Sequence, residues 1–356
     1  MSVTQPQDFF VQLHLTERCN LRCRHCYQSG KRNQELSLAE IRNVAVEVSE
    51  MLDTWTDVHD VPFSPSFNIT GGEPFLREDI FEVLQEVGDR GFELYLLSNG
   101  ILIDKKKAQR LAELRVRGVQ VSIEGPERIH EEIRGGGSFS SSLKGVRHLL
   151  DAGLTVTLNV TLSDINADYF MDMVKLSSSL GVQKLGFSRL VPSGRGSGLL
   201  NNMLKKEKVG ELYHSIDSLN PEGLQIVTGD PVASQMSDNH KDDSGSFPTG
   251  GCAAGISGFT ILPDGTVTPC RRLPISIGNV RKDGLREIWA TSRVLESLRD
   301  KSSYKGKCGD CHRWASCRGC RAIAYAYSRS KGENDFLAED PQCFIANEGT
   351  IVQTTG

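Results

Sequence analysis

The sequence has 356 residues, of which 38% are apolar and 24% charged, with a net charge of -4; that is enough for two or three domains with sizeable cores, and it leaves no basic footprint for nucleic acid. Residues 1–8 lack a basic segment followed by an apolar one, and no stretch approaches the roughly 18 consecutive apolar residues of a membrane span, so a cytoplasmic chain without membrane contact is expected. Ten cysteines in a reducing compartment point to metal ligands rather than to disulfides.

Phe9–Leu15 is apolar and β-prone and predicts the first strand. Directly after it come Cys19, Cys23 and Cys26, spaced C-x3-C-x2-C. A structural zinc site takes four ligands, and a catalytic one takes three from more varied residue types plus water. Three thiolates within eight residues suit a 4Fe-4S cube with one iron left open. Ser37-Leu38-Ala39-Glu40 is a capping box that opens a helix with Leu38, Ile41, Ala45, Val48 and Leu52 on one face. Strands are then predicted over Ser66–Thr70, Glu93–Leu97, Val119–Ile123, Thr155–Thr161 and Lys184–Ser188. Helical periodicity falls between them over Ile80–Val87, Lys105–Glu113, Ser140–Leu150 and Tyr169–Leu180. Strands alternating with helices predict an α/β chain with a parallel sheet, either open and doubly wound or curved into a partial barrel.

In both forms ligands gather at the carboxyl ends of the strands. The loops of special composition fall there: the cysteine loop, then Gly71-Gly72-Glu73-Pro74, Ser98-Asn99-Gly100 and Ser122-Ile123-Glu124-Gly125. Arg189 and Arg195, after the sixth strand, are expected to be plain surface charges. A further helix is predicted over Leu204–Ser218, and Gly229–Gly251, rich in Gly, Ser, Asp and Pro, reads as a linker. Phe259–Leu262 and Thr266–Pro269 flank Pro263-Asp264-Gly265, a hairpin signal that carries Cys252 and Cys270 toward one another. Cys308-x2-Cys311-x5-Cys317-x2-Cys320 and Cys343 follow. The two C-x2-C pairs suit zinc equally well, although seven thiols divide poorly into tetrahedra. Between the two thiol regions, 225 residues from Tyr27 to Gly251 carry no cysteine, so two separate regions handle metal and the segment joining them has another task.

The cysteine loop resembles the signature of radical S-adenosylmethionine enzymes, and the order of the C-terminal cysteines resembles the SPASM domain of the peptide-modifying maturases. One gap departs from that pattern: Arg318-Gly319 stands where three residues are usual. The resemblance selects a partial (β/α)6 TIM-like barrel over 1–218, then a bridging region over 219–251 and a small cysteine-rich α+β SPASM domain over 252–356. It implies three 4Fe-4S clusters, the first and catalytic one on Cys19, Cys23 and Cys26. One auxiliary cluster would use Cys308, Cys311, Cys317 and Cys343, and the other Cys252, Cys270 and Cys320, one thiol short. The missing ligand would be substrate at an open iron, or an oxygen or nitrogen from the linker, where Asp238, His240, Asp242 and Asp243 lie. S-adenosyl-L-methionine is the implied cofactor, with His25 stacking on adenine and the Gly71-Gly72-Glu73-Pro74 loop meeting the ammonium through Glu73. Asn99, beside Ser98, would join Ser122 and Glu124 at the ribose hydroxyls, and Arg134 would meet the carboxylate. Family members often have Asp where this chain has Glu124.

The same resemblance implies that one electron from the first cluster cleaves the cofactor to methionine and a 5'-deoxyadenosyl radical, which takes hydrogen from a substrate carbon. Auxiliary clusters would accept a second electron, and a flavodoxin- or ferredoxin-type protein would supply the first. Many peptide-modifying relatives carry a leader-binding domain ahead of the barrel, and only eighteen residues precede Cys19, so a separate protein would present a peptide or protein substrate unless it is recognised directly. Arg271 follows Cys270 where sulfatase-maturing relatives usually carry an acid. The expected function is oxidative modification, a crosslink or similar, of a ribosomally made peptide. The alternatives are radical chemistry on a tetrapyrrole or another small molecule in cofactor biosynthesis, and a zinc-bound or iron-sulfur scaffold.

Overall fold

The ladder of strands begins with β1 (Gln7–His14), β2 (Phe63–Thr70), β3 (Glu93–Ser98), β4 (Gly118–Ser122), β5 (Val156–Leu162), β6 (Lys184–Arg189) and β7 (Gln225–Thr228), each parallel to its neighbour. These come from a computed structural model that describes residues 6–28, 30, 34–236 and 247–345. The crossovers hold α1 (Leu38–His59), α2 (Ile80–Gly88), α3 (Lys105–Glu113), α4 (Glu127–Arg134), α5 (Ser138–Asp151), α6 (Phe170–Leu180) and α7 (Lys206–Asp217). The expected strands and helices are therefore present, and the chain is a mixed α/β protein with an open, barrel-like parallel core. Among the helices and strands up to residue 228, two were not expected from the sequence: α4, and β7 within the stretch read as a bridge.

The C-terminal part adds β8 (Gly258–Ile261), β9 (Thr266–Thr268) and β10 (Gly278–Asn279), followed by α8 (Leu285–Thr291), α9 (Arg293–Arg299), α10 (Lys307–Asp310) and α11 (Arg321–Ser330). β8 and β9 are the hairpin expected around Asp264, and β8 lies parallel to β1. One ten-stranded sheet results, in the order β10-β9-β8-β1-β2-β3-β4-β5-β6-β7, so barrel and cysteine-rich domain share a single ladder.

Local sequence explains the pieces. Glu40 N–H donates to Ser37 Oγ and Ser37 N–H to Glu40 Oε2, closing the capping box that starts α1. Its buried face, Ile41, Val44, Ala45, Val48, Met51 and Leu52, belongs to the same core as Phe9, Val11 and Leu13 of β1. Each such side chain is worth roughly 1.5–3 kcal/mol when removed from water. The alternate positions of the later strands are polar: Gln120 and Ser122 on β4, Asn159 and Thr161 on β5, Ser188 on β6. Strand periodicity turns these toward the inside of the curved sheet, and all five line the cavity described next.

Candidate functional site

A cleft of about 930 Å³, open to solvent, lies at the carboxyl ends of the barrel strands. Cys19, Cys23 and Cys26 line it together, and all three are free thiols. N–H donors point at their sulfurs: Leu21 N is 3.4 Å from Cys19 Sγ and Arg134 Nη1 is 3.7 Å from Cys23 Sγ. Such donors suit thiolates that carry charge when they bind metal.

The Gly71-Gly72 turn faces the same cleft, but its glycines admit protein backbone. A Cβ on Gly72 would stand 2.1 Å from the Arg18 carbonyl oxygen, and one on Gly71 2.7 Å from that of Thr16. Gly72 N–H donates to Thr16 O and Glu73 N–H to Arg18 O, which ties the turn to the cysteine loop. Glu73 and Pro74 do not line the cleft. The fully buried Glu73 carboxylate faces the β3 loop, where Ser98 Oγ reaches both its oxygens at 2.9 and 3.1 Å and Asn99 N–H donates at 2.9 Å. Glu73 thus braces Ser98 and Asn99, which do line the cleft. Burial is the main force on its acidity and raises its pKa to about 7, against the hydrogen bonds it accepts.

Glu124 also lies behind the wall rather than in it. Its Oε1 meets Arg134 Nε at 2.9 Å and His25 Nε2 at 3.2 Å, and its Oε2 accepts Thr161 N–H at 2.8 Å. Burial opposes ionisation, but Arg134 and His25 outweigh it and hold this carboxyl well below the usual range. The carboxylate thereby orients Arg134 and His25, and both line the cleft. His25 Nδ1 is buried with no hydrogen-bond partner among the described residues.

Four arginines line the cleft: Arg134, Arg195, Arg271 and Arg272. Among the described residues no carboxylate does. Arg195 is exposed but reaches the Cys23 carbonyl at 3.4 Å, so it is not a plain surface charge. Arg189 is not one either: its guanidinium is 0% exposed and sits between Asp230 and Asp340, 41 and 151 residues away. Arg271 lies over the Tyr27 ring at 5.8 Å. Behind Tyr27 and Gln28, His14 is buried and bonded to both, and burial, then Arg271, lowers its pKa to about 3, so the imidazole is neutral.

In the C-terminal domain all seven cysteines are free thiols. Gln235 Nε2 approaches Cys317 Sγ at 3.6 Å and Cys343 Sγ at 3.4 Å, Gly319 N–H approaches Cys317 Sγ at 3.4 Å, and Arg321 Nη2 lies 3.6 Å from Cys308 Sγ. Burial pushes the Cys317 thiol up to about 11 and that of Cys320 up to about 12, the latter against the pull of Arg272. Among the described residues no three Cys, His, Asp or Glu side chains gather tightly enough to close on one ion, whereas a cube distributes its thiolates over separate irons. Asp238, His240, Asp242 and Asp243 lie outside the described residues.

Sequence reasoning missed Gln120, Asn159, Ser188, Tyr27, Gln28 and Arg272 in the cleft. The signal was present in β5, whose VTLNVTL alternates buried apolar and half-buried polar positions. In a parallel sheet covered by helices the polar set has no solvent face to point at.

Comparison with known proteins gives the same outline. Residues 13–177 match the family model of the radical SAM superfamily, and residues 252–321 match an iron-sulfur cluster-binding domain, SPASM. An AdoMet-dependent heme synthase from Nitratidesulfovibrio vulgaris is 31% identical over 347 residues, covering 94% of this chain and 91% of that protein. A mycofactocin maturase, MftC, from Mycobacterium tuberculosis is 31% identical over 325 residues, covering 87% and 78%. Among solved structures, Streptococcus suis SuiB bound to precursor peptide SuiA superposes with a TM-score of 0.71 at 14% identity, over 95% of this chain and 76% of that one. Native anSMEcpe with bound AdoMet and Cp18Cys peptide gives 0.71 at 20% identity, over 95% and 94%. At those identities the structural likeness speaks to the fold alone.

Proposed function

Because the chain belongs to the radical S-adenosylmethionine superfamily and carries a SPASM-type iron-sulfur domain after its barrel, we propose that it is an oxidoreductase acting on a small carboxylate-rich substrate of the tetrapyrrole class. The observation that carries this reading is the charge of the cleft: four arginines line it and no lining carboxylate among the described residues opposes them. Arg134 is matched by Glu124 behind the wall, which leaves Arg195, Arg271 and Arg272 for anionic groups of the substrate. The heme synthase named above, alignable over nearly its whole length, supports the same class. A ribosomally made peptide is the second reading, favoured by the likeness to the mycofactocin maturase.

The thiols and their N–H donors fit 4Fe-4S clusters: Cys19, Cys23 and Cys26 would hold the first, Cys308, Cys311, Cys317 and Cys343 a second, and Cys252, Cys270 and Cys320 a third. A cluster held there would supply one-electron reduction of S-adenosylmethionine bound beside it. The protein's part is orientation. Arg134, held by Glu124, would meet the cofactor carboxylate, and Ser122 and Asn99 would offer polar contacts to its ribose. His25, turned by the same carboxylate, presents its ring to the cleft. Arg271 and Arg272 reach into the cleft from the C-terminal domain and would orient substrate carboxylates. A flavodoxin or ferredoxin would supply the electron.

Anaerobically reconstituted protein is expected to hold about twelve irons with matching sulfide, and replacing Cys19, Cys23 and Cys26 by Ala is expected to abolish deoxyadenosine formation while about eight irons remain. Zinc in place of iron would refute the enzyme reading. For substrate class, the Arg271→Ala, Arg272→Ala double variant is expected to weaken binding of a carboxylate-bearing tetrapyrrole, followed by its absorption band, by about 10- to 100-fold. This corresponds to one or two lost charge-assisted hydrogen bonds. Unchanged tetrapyrrole affinity, together with peptide-stimulated deoxyadenosine formation, would favour the second reading.

A further inference from the structure

Arg189 ends β6 directly after Ser188, which lines the cleft. Alternation along the strand turns its side chain the other way, into the seam between the barrel and the C-terminal domain. There its guanidinium is fully buried between two carboxylates. Asp230, from the turn after β7, takes Nε and Nη2 at 2.8 Å each and also accepts the Tyr213 hydroxyl at 2.9 Å. Asp340 takes Nη1 at 3.0 Å and Nη2 at 2.8 Å. Asp340 has a second duty, because the same carboxylate accepts the backbone N–H of Cys320 at 2.8 Å. Its carbonyl accepts the N–H of Cys343 at 3.1 Å. The Arg189 carbonyl in turn accepts from Arg272 Nη1 at 3.4 Å, and Arg272 lines the cleft. One buried cation thus meets the wall of the cleft and two of the thiol-bearing segments.

We propose that Arg189 and Asp340 are positioning residues that set the reduction potential of the auxiliary cluster to which Cys320 contributes. This rests on the reading above that Cys252, Cys270 and Cys320 hold such a cluster. A reduced cluster carries one more negative charge than an oxidised one, and in a buried seam fixed charges nearby are weakly screened. The Asp340 anion disfavours reduction, and it also occupies an N–H that would otherwise be free to bond cluster sulfur, one of the levers on cluster potential. Arg189 offsets that anion. Removing Asp340 takes away an anion and leaves Arg189 matched by Asp230, whereas removing Arg189 leaves two carboxylates uncompensated, so the local charge changes with opposite sign in the two cases.

The test is a redox titration followed by electron paramagnetic resonance on full-length protein with Cys19, Cys23 and Cys26 replaced by Ala, so that only auxiliary signals are read. Asp340→Asn is expected to move the midpoint of at least one auxiliary cluster to a more positive value and Arg189→Met to a more negative one. Arg189→Lys, which keeps the charge, is expected to stay near the parent value. Circular dichroism and iron content control for folding and loading, and if Arg189→Met does not fold, Asp340→Asn decides alone. A parent-like midpoint in Asp340→Asn, or shifts of the same sign in Asp340→Asn and Arg189→Met, overturns the proposal and leaves the ion pair as a fastening. About four irons instead of about eight in the parent, with a single auxiliary signal, would remove the cluster reading itself and the proposal with it.

Discussion

Two buried carboxylates at the cleft are handled in opposite ways. Glu124 keeps its charge because Arg134, His25 and the Thr161 N–H all face it. Glu73 has only neutral donors, Ser98 Oγ and the N–H groups of Asn99 and Phe75, and burial prevails. Since the folded carboxyl of Glu73 titrates at about 7 and the unfolded one at about 4.3, the folded state binds the proton more tightly. The stability linked to that proton is present below the unfolded value and is lost as pH rises toward 7 and beyond. Glu73→Gln cannot ionise, so its thermal midpoint relative to the parent is expected to improve between pH 6 and pH 8. A gap that is constant over that range, in differential scanning fluorimetry, would show that Glu73 is already charged at pH 6. None of this pairing was legible in the sequence. Gly71-Gly72-Glu73-Pro74 marks the loop, but which side of it faces a ligand depends on the β3 loop that packs against it. Arg189 shows the same limit more sharply. Its residue type suggests solvent, and only partners 41 and 151 residues away make burial tolerable.

The loops at the strand ends owe their shape to the close approach of neighbouring backbone. Gly72 lets the β2 loop lie on Arg18 of the cysteine loop, and Gly145 on α5 does the same for Gly100, where a Cβ would fall 2.0 Å from the Gly100 carbonyl oxygen. Because backbone cannot swing aside as a flexible side chain does, Gly72→Ala is expected to cost at least the 1–3 kcal/mol or so of ordinary overpacking. It is also expected to lower iron retention at Cys19, Cys23 and Cys26, read as a deficit of about four irons per chain with the auxiliary signals intact. Full iron content in that variant would mean the turn shifts freely and does not set the cysteine loop. At this scale the sequence was legible where local signals agree: α1 from its capping box, β3 from its apolar Leu-Tyr-Leu-Leu stretch, the β8–β9 hairpin from Pro263-Asp264-Gly265. Sequence reasoning missed α4, whose ERIHEEIR buries only Ile129, His130 and Ile133 and so carries little apolar signal. It missed β7 because four residues are too few to display a period.

At the scale of the molecule, the barrel is completed by the domain that follows it. β8 lies along β1 in register from Phe10 opposite Gly258 to Leu13 opposite Ile261, and Phe9 stacks edge-on with Phe259 and Trp289. Arg281 on the C-terminal side pairs with Glu40 of α1. A chain cut after residue 251 would therefore bare the β1 ladder and its aromatic neighbours, and exposed edges of that kind seek other chains. Such a fragment is expected to elute in the void volume on gel filtration. A monomeric fragment with native helix content would show that β1 is protected without β8.

The shared ladder also bears on electron movement. Tunnelling between redox centres falls steeply with separation, so two domains on a hinge would exchange electrons in bursts, whenever thermal motion brought them close. Here β1 runs straight into the loop that bears Cys19, and β8 beside it leads through β9 to Cys270. A hydrogen-bonded ladder holds their spacing, and under the function proposed above the rate of transfer between the two thiol regions would then be insensitive to solvent viscosity.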